Sequence, residues 1–463
     1  MLNSFVDNTA SAVPIVVIPS SEFADWMNGP DDAIRKWLTT TGFRGKPGNV
    51  IQVPDTDGNV DRVVFTVAEN PSLWDWAALP GGLRTGTYAP PNDMDPAQAT
   101  DLALVWALSA YKYDRYKKRD DDDDTDAKPT LVWPETCDRK SVIRTVEATG
   151  LVRDLINTPA ADMGPDGLAA AARGLAEDHG AALSIIEGED LLTQNYPAIH
   201  AVGRANDRAP RLIDLIWGDD DAPKVTLVGK GVCFDTGGLD IKSAAGMKLM
   251  KKDMGGAAHA LGLARMVMAA KLPVRLRLLV PAVENSIAGN AMRPGDVVPT
   301  RKGLSIEIGN TDAEGRVILA DALTEGASEK PELMIDFATL TGAARVALGT
   351  ELPALFCNDD TLAGDLLTAG TKTADALWRM PLWAGYDKLV DGKVADLNNA
   401  PEGGHGGAIT AALFLQRFVD AGIPWAHIDL MAWNLTSRPG RPEGGEAMGL
   451  RAVFDALAQR YPA

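Results

Sequence analysis

Apolar and polar residues alternate along this chain in two rhythms, one suited to strands and one to helices. Residues 13–19 (Val-Pro-Ile-Val-Val-Ile-Pro) form a short continuous apolar run, the pattern of a buried strand. Residues 21–38 carry helical spacing that ends near Trp37 and Leu38, and 50–53 and 62–67 are further strand candidates. Ala97, Leu102, Leu104, Val105, Leu108 and Tyr111 recur at helix-like intervals and predict a helix over 97–118. A helix over 139–156 is stopped by Asn157-Thr158-Pro159, because a residue before proline avoids the helical region. Helices are then expected at 165–179, 253–271, 316–328 and 408–420. Strands are expected at 210–217, 225–229, 274–283, 333–337 and 426–431. Strand and helix alternating in this way predict an α/β fold: a small N-terminal α/β domain and a larger C-terminal α/β/α domain with a mainly parallel sheet.

The two regions are separated by a change in composition. Arg119 precedes five aspartates, Asp120 to Asp124, and Pro129 follows. A block of like charge repels itself and stays solvated, so it reads as a surface loop near a domain boundary. We expect an N-terminal domain over 1–128, a linker over 129–138 and a second domain over 139–463. A chain of 463 residues suits two domains.

Composition narrows the classes. Hydrophobic residues make up 46% and charged residues 23%, as in soluble globular proteins. The net charge of −18 argues against general binding of nucleic acid, which needs cations to neutralise phosphates. Cys137, Cys233 and Cys357 are widely spaced and imply no disulfide framework. The N-terminus lacks a charged segment followed by an apolar one, and no apolar run is long enough to cross a membrane. The expected location is the cytoplasm.

Two segments concentrate chemistry. In the first, the strand at 225–228 runs into a glycine-rich turn that carries Lys230, Asp235 and Lys242. In open α/β sheets, sites form at the carboxyl ends of strands. The spacing is not that of a phosphate-binding loop with Gly-x4-Gly-Lys-Ser/Thr. The second is Asn310-Thr311-Asp312-Ala313-Glu314-Gly315-Arg316. In an extended chain, Asp312, Glu314 and Arg316 would project to one side. The alternative is a helix start, with Thr311 or Asp312 as N-cap and acids in the first turn. Between the two lies Lys251-Lys252-Asp253-Met254-Gly255-Gly256. Asp235, Asp253, Asp312 and Glu314 bring four negative charges, which two divalent cations would balance. Lys230 could add a neutral amine, leaving Lys242 and Arg316 as cations for a substrate. The histidines (His179, His200, His259, His405 and His427) are scattered, and no His-Glu-x-x-His occurs. His259 and Cys233 read as packed residues.

Together these segments resemble the leucine aminopeptidase family, also called cytosol aminopeptidases. The run Asn310–Arg316 is that family's signature. Similarity extends over roughly residues 140–463, through Leu155–Pro159, Ala395–Asn398, Gly406-Gly407 and His427–Asp429. The resemblance implies a two-metal aminopeptidase that releases leucine and other apolar residues from peptide N-termini. It implies Lys230, Asp235, Asp253, Asp312 and Glu314 as metal ligands. Asp235 and Glu314 would bridge, Lys230 and Asp253 would serve one ion, and Asp312 the other. Lys242 and Arg316 match the catalytic residues. Met250, Thr339 and Gly342 fall where the family lines its side-chain pocket, and Leu340 where its backbone meets substrate. The implied cofactors are two divalent ions (Mn or Zn, with Mg or Co as further candidates) and bicarbonate at Arg316. A hexamer is implied, with an oligomeric or regulatory role for the N-terminal domain. Two alternatives stand beside this reading: a narrow dipeptidase, for example on Cys-Gly, and a member that binds nucleic acid.

Overall fold

The computed structural model describes all residues except 8, 10, 119–127 and 463. The aspartates Asp120–Asp124, expected as a surface loop, lie outside the described residues. The chain divides into two compact units, one of Met1–Gly150 with Thr436–Glu443 and one of Leu151–Leu435 with Gly444–Ala463.

The smaller unit holds a six-stranded sheet. Its strands are β1 (Phe5–Val6), β2 (Val13–Pro19), β3 (Val50–Pro54), β4 (Val60–Val67), β5 (Thr87–Ala89) and β6 (Thr130–Val132), in the order β1-β6-β5-β2-β4-β3. Ile18, Val53 and Val64 pack with Ile34 and Leu38 from a helix over Asp32–Thr40. The single helix expected at 21–38 is two, Phe23–Trp26 and Asp32–Thr40. Gly29-Pro30 separates them, since proline cannot continue a helix and can precede a new one. Asp31 then caps the second helix by accepting from Ile34 N at 2.9 Å. The helix expected over 97–118 spans Pro96–Ser109 only. Its buried positions end at Leu108, and the charged residues beyond have no apolar face to bury.

The larger unit is built on a nine-stranded sheet. Its strands are β7 (Ala182–Glu187), β8 (Arg211–Trp217), β9 (Lys224–Gly229), β10 (Gly231–Asp235), β11 (Arg275–Asn285), β12 (Leu333–Ala338), β13 (Ala354–Cys357), β14 (Trp378–Arg379) and β15 (Trp425–Asp429). The central strands β11, β9, β12 and β15 run parallel in that order, and antiparallel β8 and β13 flank them. Parallel strands buried on both faces should read as largely apolar runs, and β9 and β12 do, broken only by Thr226 and by Asp336, which is paired with Trp425 Nε1 and His427 Nδ1. On one face, Val228, Leu279 and Met334 pack with Ile318 and Leu319 of the helix Glu314–Ser328. On the other, Gly229 meets Ala257 of the helix Gly255–Ala270. This is the expected α/β/α arrangement. The residues after Lys230 are not a simple turn, because the chain resumes as β10 and pairs in parallel with β11. The tight turn comes later, at Gly237 and Gly238, which have φ of 88° and 67°.

Candidate active site

The central parallel strands end together, and their carboxyl ends deliver the chemistry-bearing residues. Lys230 follows β9, Asp235 ends β10, Thr339 and Leu340 follow β12, and Asp429 ends β15. Lys230 N donates to Phe337 O at 3.0 Å, and Ala257 N donates to Lys230 O at 2.8 Å, so Lys230 is locked between β12 and the following helix. That helix approaches closely: a Cβ on Gly256 would stand 2.1 Å from Phe337 O. Only glycine permits this approach. It brings Asp253, at the end of a 3-10 turn over Met250–Met254, beside Lys230.

The Asn310–Arg316 segment departs from the extended reading. Glu314 and Arg316 lie in the first turn of the helix Glu314–Ser328, whose N-cap is Ala313 without a side-chain bond. In a helix, residues two apart point to different sides, so the strands opposite, not sequence alternation, gather these groups. Thr311 and Asp312 are not caps. Thr311 Oγ1 donates to Gly237 O at 2.6 Å and accepts from Asp240 N at 2.8 Å, tying the two motifs together. Asn399, fully buried, accepts from Gly309 N (2.8 Å) and Asn310 N (3.2 Å) and donates to Asn310 O (2.8 Å) and Ala313 O (3.2 Å). It thus fixes the loop that presents Asp312.

One cavity of about 220 Å³ is lined by Lys230, Asp235, Lys242, Met250, Asp253, Asp312, Glu314, Arg316, Thr339, Leu340 and Gly342. These are all the positions singled out from sequence. Lys252 and Arg345 line it too, and sequence reasoning missed both. Lys230 Nζ lies 2.8 Å from Asp253 Oδ2, 3.0 Å from Glu314 Oε1 and 3.1 Å from Thr339 O. Lys242 Nζ pairs with Asp235 Oδ2 at 2.8 Å and with Asp312 Oδ1. Thr339 Oγ1 donates to Asp253 Oδ1 at 2.7 Å, and Asn285 Nδ2 to Asp235 Oδ1 at 2.9 Å. His259 does not line the cavity. It is buried between Gly255 O (2.6 Å from Nδ1) and Met448 N (2.8 Å from Nε2), and burial pushes it down to about 4. Cys233 is fully buried.

Electrostatically the carboxylates crowd one another. Burial first, and the Asp235 and Asp253 carboxylates next, push Glu314 up to about 8 against Lys230 and Lys242. Burial and Asp253 likewise raise Asp235 to about 6. Burial pulls the Lys230 ammonium down, but Asp253, Glu314 and Asp235 together carry it above the ordinary lysine range. Burial lowers Arg316 to about 10. The donor set fits divalent cations. Asp235, Asp312 and Glu314 each offer an oxygen, all within 4.8 Å of one another. Glu314 Oε2 is buried and has no hydrogen-bond partner among the described residues. A buried, unpaired carboxylate oxygen is costly unless a cation meets it.

Residues 150–454 match the model of the cytosol aminopeptidase family, catalytic domain, and residues 13–129 match that of the M17 aminopeptidase N-terminal domain. The chain belongs to the cytosol aminopeptidase family. A probable cytosol aminopeptidase of Sinorhizobium medicae (strain WSM419) is 44% identical, covering 93% of this chain and 92% of its own length. The crystal structure of cytosol aminopeptidase from Coxiella burnetii has a TM-score of 0.95 at 51% identity, covering 99% of this chain and 100% of that one. The bottromycin maturation enzyme BotP in complex with Mn has a TM-score of 0.86 at 34% identity, covering 98% of this chain and 100% of that one. As a cytosol aminopeptidase, the protein is a hydrolase that acts at the N-terminal end of peptides.

Proposed function

We propose that this aminopeptidase works with two divalent metal ions held by Lys230, Asp235, Asp253, Asp312 and Glu314, and that it prefers N-terminal leucine and other apolar residues. The observation that carries the reading is the buried, unpartnered Glu314 Oε2 inside a ring of carboxylates and lysines. Mn or Zn are the favoured ions, with Mg or Co as further candidates. When bound, such ions lower the pKa of a water and polarise a carbonyl. Lys230 would coordinate as a neutral amine, since metal ligands are deprotonated. Lys242, one side chain away from Asp235 and Asp312, would donate to the oxyanion that forms from the scissile carbonyl. Arg316 would hold bicarbonate, a planar anion matched to the guanidinium fork, which supplies a general base. Met250, Thr339 and Gly342 would form the pocket for the N-terminal side chain, and Leu340 would meet the substrate backbone. Leu340 N and Thr341 N donate to Asp429 Oδ1 at 3.0 and 3.2 Å, so that turn is fixed before substrate arrives.

We also place the enzyme in the cytoplasm as a homo-hexamer acting on peptides. Exposed Trp378, Trp383 and Leu389 supply apolar surface for association. Among the described residues no helix is long and apolar enough to cross a membrane. The net charge of −18 disfavours nucleic acid as a partner.

The test is release of p-nitroaniline from leucine p-nitroanilide by protein stripped with chelator, then restored with Mn or Zn, beside Glu314→Ala. Metal-restored release that is absent from the variant supports the reading. Turnover confined to dipeptides such as Cys-Gly would replace it with the narrow dipeptidase, and metal-independent turnover would overturn it.

A further inference from the structure

The charges that line the cavity do not balance. Asp235, Asp253, Asp312 and Glu314 face the lysines and arginines already described and, in addition, Lys252 and Arg345. If two divalent ions match the four carboxylates, and Lys242 and Arg316 serve the reaction, Lys252 and Arg345 keep no directly paired counter-charge, and Asp429 acts on Lys252 without contact. Lys252 is 1% exposed, yet among the described residues its ammonium takes no hydrogen bond or ion pair, and the Arg345 guanidinium takes none either. Nearby carboxylates are committed elsewhere. Asp253 holds Lys230 and Thr339. Asp429 holds Leu340 N, Thr341 N and, at 2.6 Å, Thr341 Oγ1. A buried cation without a partner is expensive, and a site that retains one is built to meet an anion.

Its position says which part of a substrate it meets. Arg345 Nη2 lies 3.7 Å from where a Cβ on Gly342 would stand. Gly342, Met250 and Thr339 are the residues we place around the N-terminal side chain. The guanidinium therefore stands beside that pocket, with an apolar wall at Met250.

We propose that Lys252 and Arg345 form an anion subsite that receives the side-chain carboxylate of an N-terminal glutamate or aspartate, so that acidic residues are substrates alongside leucine. This rests on the aminopeptidase reading of the cavity. The methylenes of a glutamate pack on Met250 while its carboxylate pairs with the planar fork of Arg345 and the ammonium of Lys252. Leucine satisfies the apolar wall and leaves both cations unpaired.

The experiment compares kcat/KM for glutamyl-, aspartyl-, leucyl- and lysyl-p-nitroanilide in the Mn-loaded full chain and in R345Q, R345K and K252M. The wild type is expected to cleave the leucyl substrate best, the glutamyl one next and the lysyl one worst. R345Q should lower the glutamyl-to-leucyl ratio about 10- to 100-fold, mainly through KM, the scale of a charge-assisted hydrogen bond. R345K should recover part of that ratio, and K252M should shift it in the same direction as R345Q. Calorimetry with free L-glutamate and L-leucine supplies a readout without turnover, and glutamate should bind the wild type but not R345Q. A glutamyl-to-leucyl ratio unchanged in R345Q, or a wild type that rejects acidic substrates, overturns the subsite. If no substrate is cleaved with any metal, the aminopeptidase reading fails instead. In that case glutamate binding that depends on Arg345 still supports the subsite, and its absence overturns it.

Discussion

Gly315→Ala should separate the stability of this enzyme from its activity. Gly315 sits in the first turn of the helix Glu314–Ser328, between two residues of the site. A Cβ there would stand 2.5 Å from Lys230 Cε, 2.6 Å from Nζ and 2.8 Å from Cδ. Carbon atoms in contact want ~3.5–4.0 Å, so the lysine tail must move by roughly 1 Å. Its Nζ is held by Asp253, Glu314 and Thr339 in a buried site, so a shift of the tail breaks those contacts even where the cavity gives it room. Overpacking of this kind costs about 1–3 kcal/mol. Alanine in place of a helical glycine returns about 1 kcal/mol. The net loss is about 0–2 kcal/mol, at roughly 2–4 °C of Tm per kcal/mol. Activity should suffer far more, because a displacement of ~1 Å at a group proposed to hold the metal costs roughly 100-fold. The control is Gly174→Ala in the helix Pro165–His179, where a Cβ meets nothing within 4 Å. That variant should gain up to ~1 kcal/mol and keep full activity. Scanning calorimetry and kcat/KM on leucine p-nitroanilide check both. Wild-type kcat/KM in Gly315→Ala would overturn this expectation, since Lys230 would then accommodate the added methyl without loss of its role.

Chelated protein should lose stability as pH rises from about 5 to about 8. Glu314 and Asp235 have ordinary values of 4.5 and 3.8 and are raised in the fold to about 8 and about 6, so their contribution is complete below the ordinary values and disappears as each ionises. Mn should restore more Tm at pH 8 than at pH 5.5, and Glu314→Gln should flatten the pH dependence of the chelated protein; a slope identical to wild type would contradict this. Lys242→Ala should lower kcat about 100- to 1000-fold with KM little changed, the loss typical of one oxyanion donor; steady-state kinetics would expose a pure KM effect. Asn399→Ala leaves the groups it bonds in the 309–313 loop without partners and should cost about 2–3 kcal/mol in denaturant unfolding. Metal titration should show a 10- to 100-fold weaker site, the scale of losing an outer support of a metal ligand; unchanged affinity would remove Asn399 from the support of Asp312.

The chain's own order determined a great deal. β9, β12 and the helices around them were legible because strands buried on both faces read as largely apolar runs, even with Thr226 and Asp336 inside them. The candidate site was legible because its carboxylates and cations sit in short motifs where strands end and helices begin. The tertiary structure decided what periodicity cannot carry. It replaced an extended Asp312–Arg316 run with a helix start, because tight packing of that turn against Lys230 outweighs local alternation. It split the helix at Gly29-Pro30, and it turned the residues after Lys230 into a strand through pairing with β11. Lys252 and Arg345 left no signal in sequence: a lysine beside an aspartate and an arginine on a short helix read as solvated charges. Only the close approach of the helix Gly255–Ala270 to β12, and the start of the helix Gly342–Leu348 just after β12, place both against the cavity. Spacing along a chain reports which residues share an element. Which elements meet, and so which charges lose water together, is settled by packing in three dimensions.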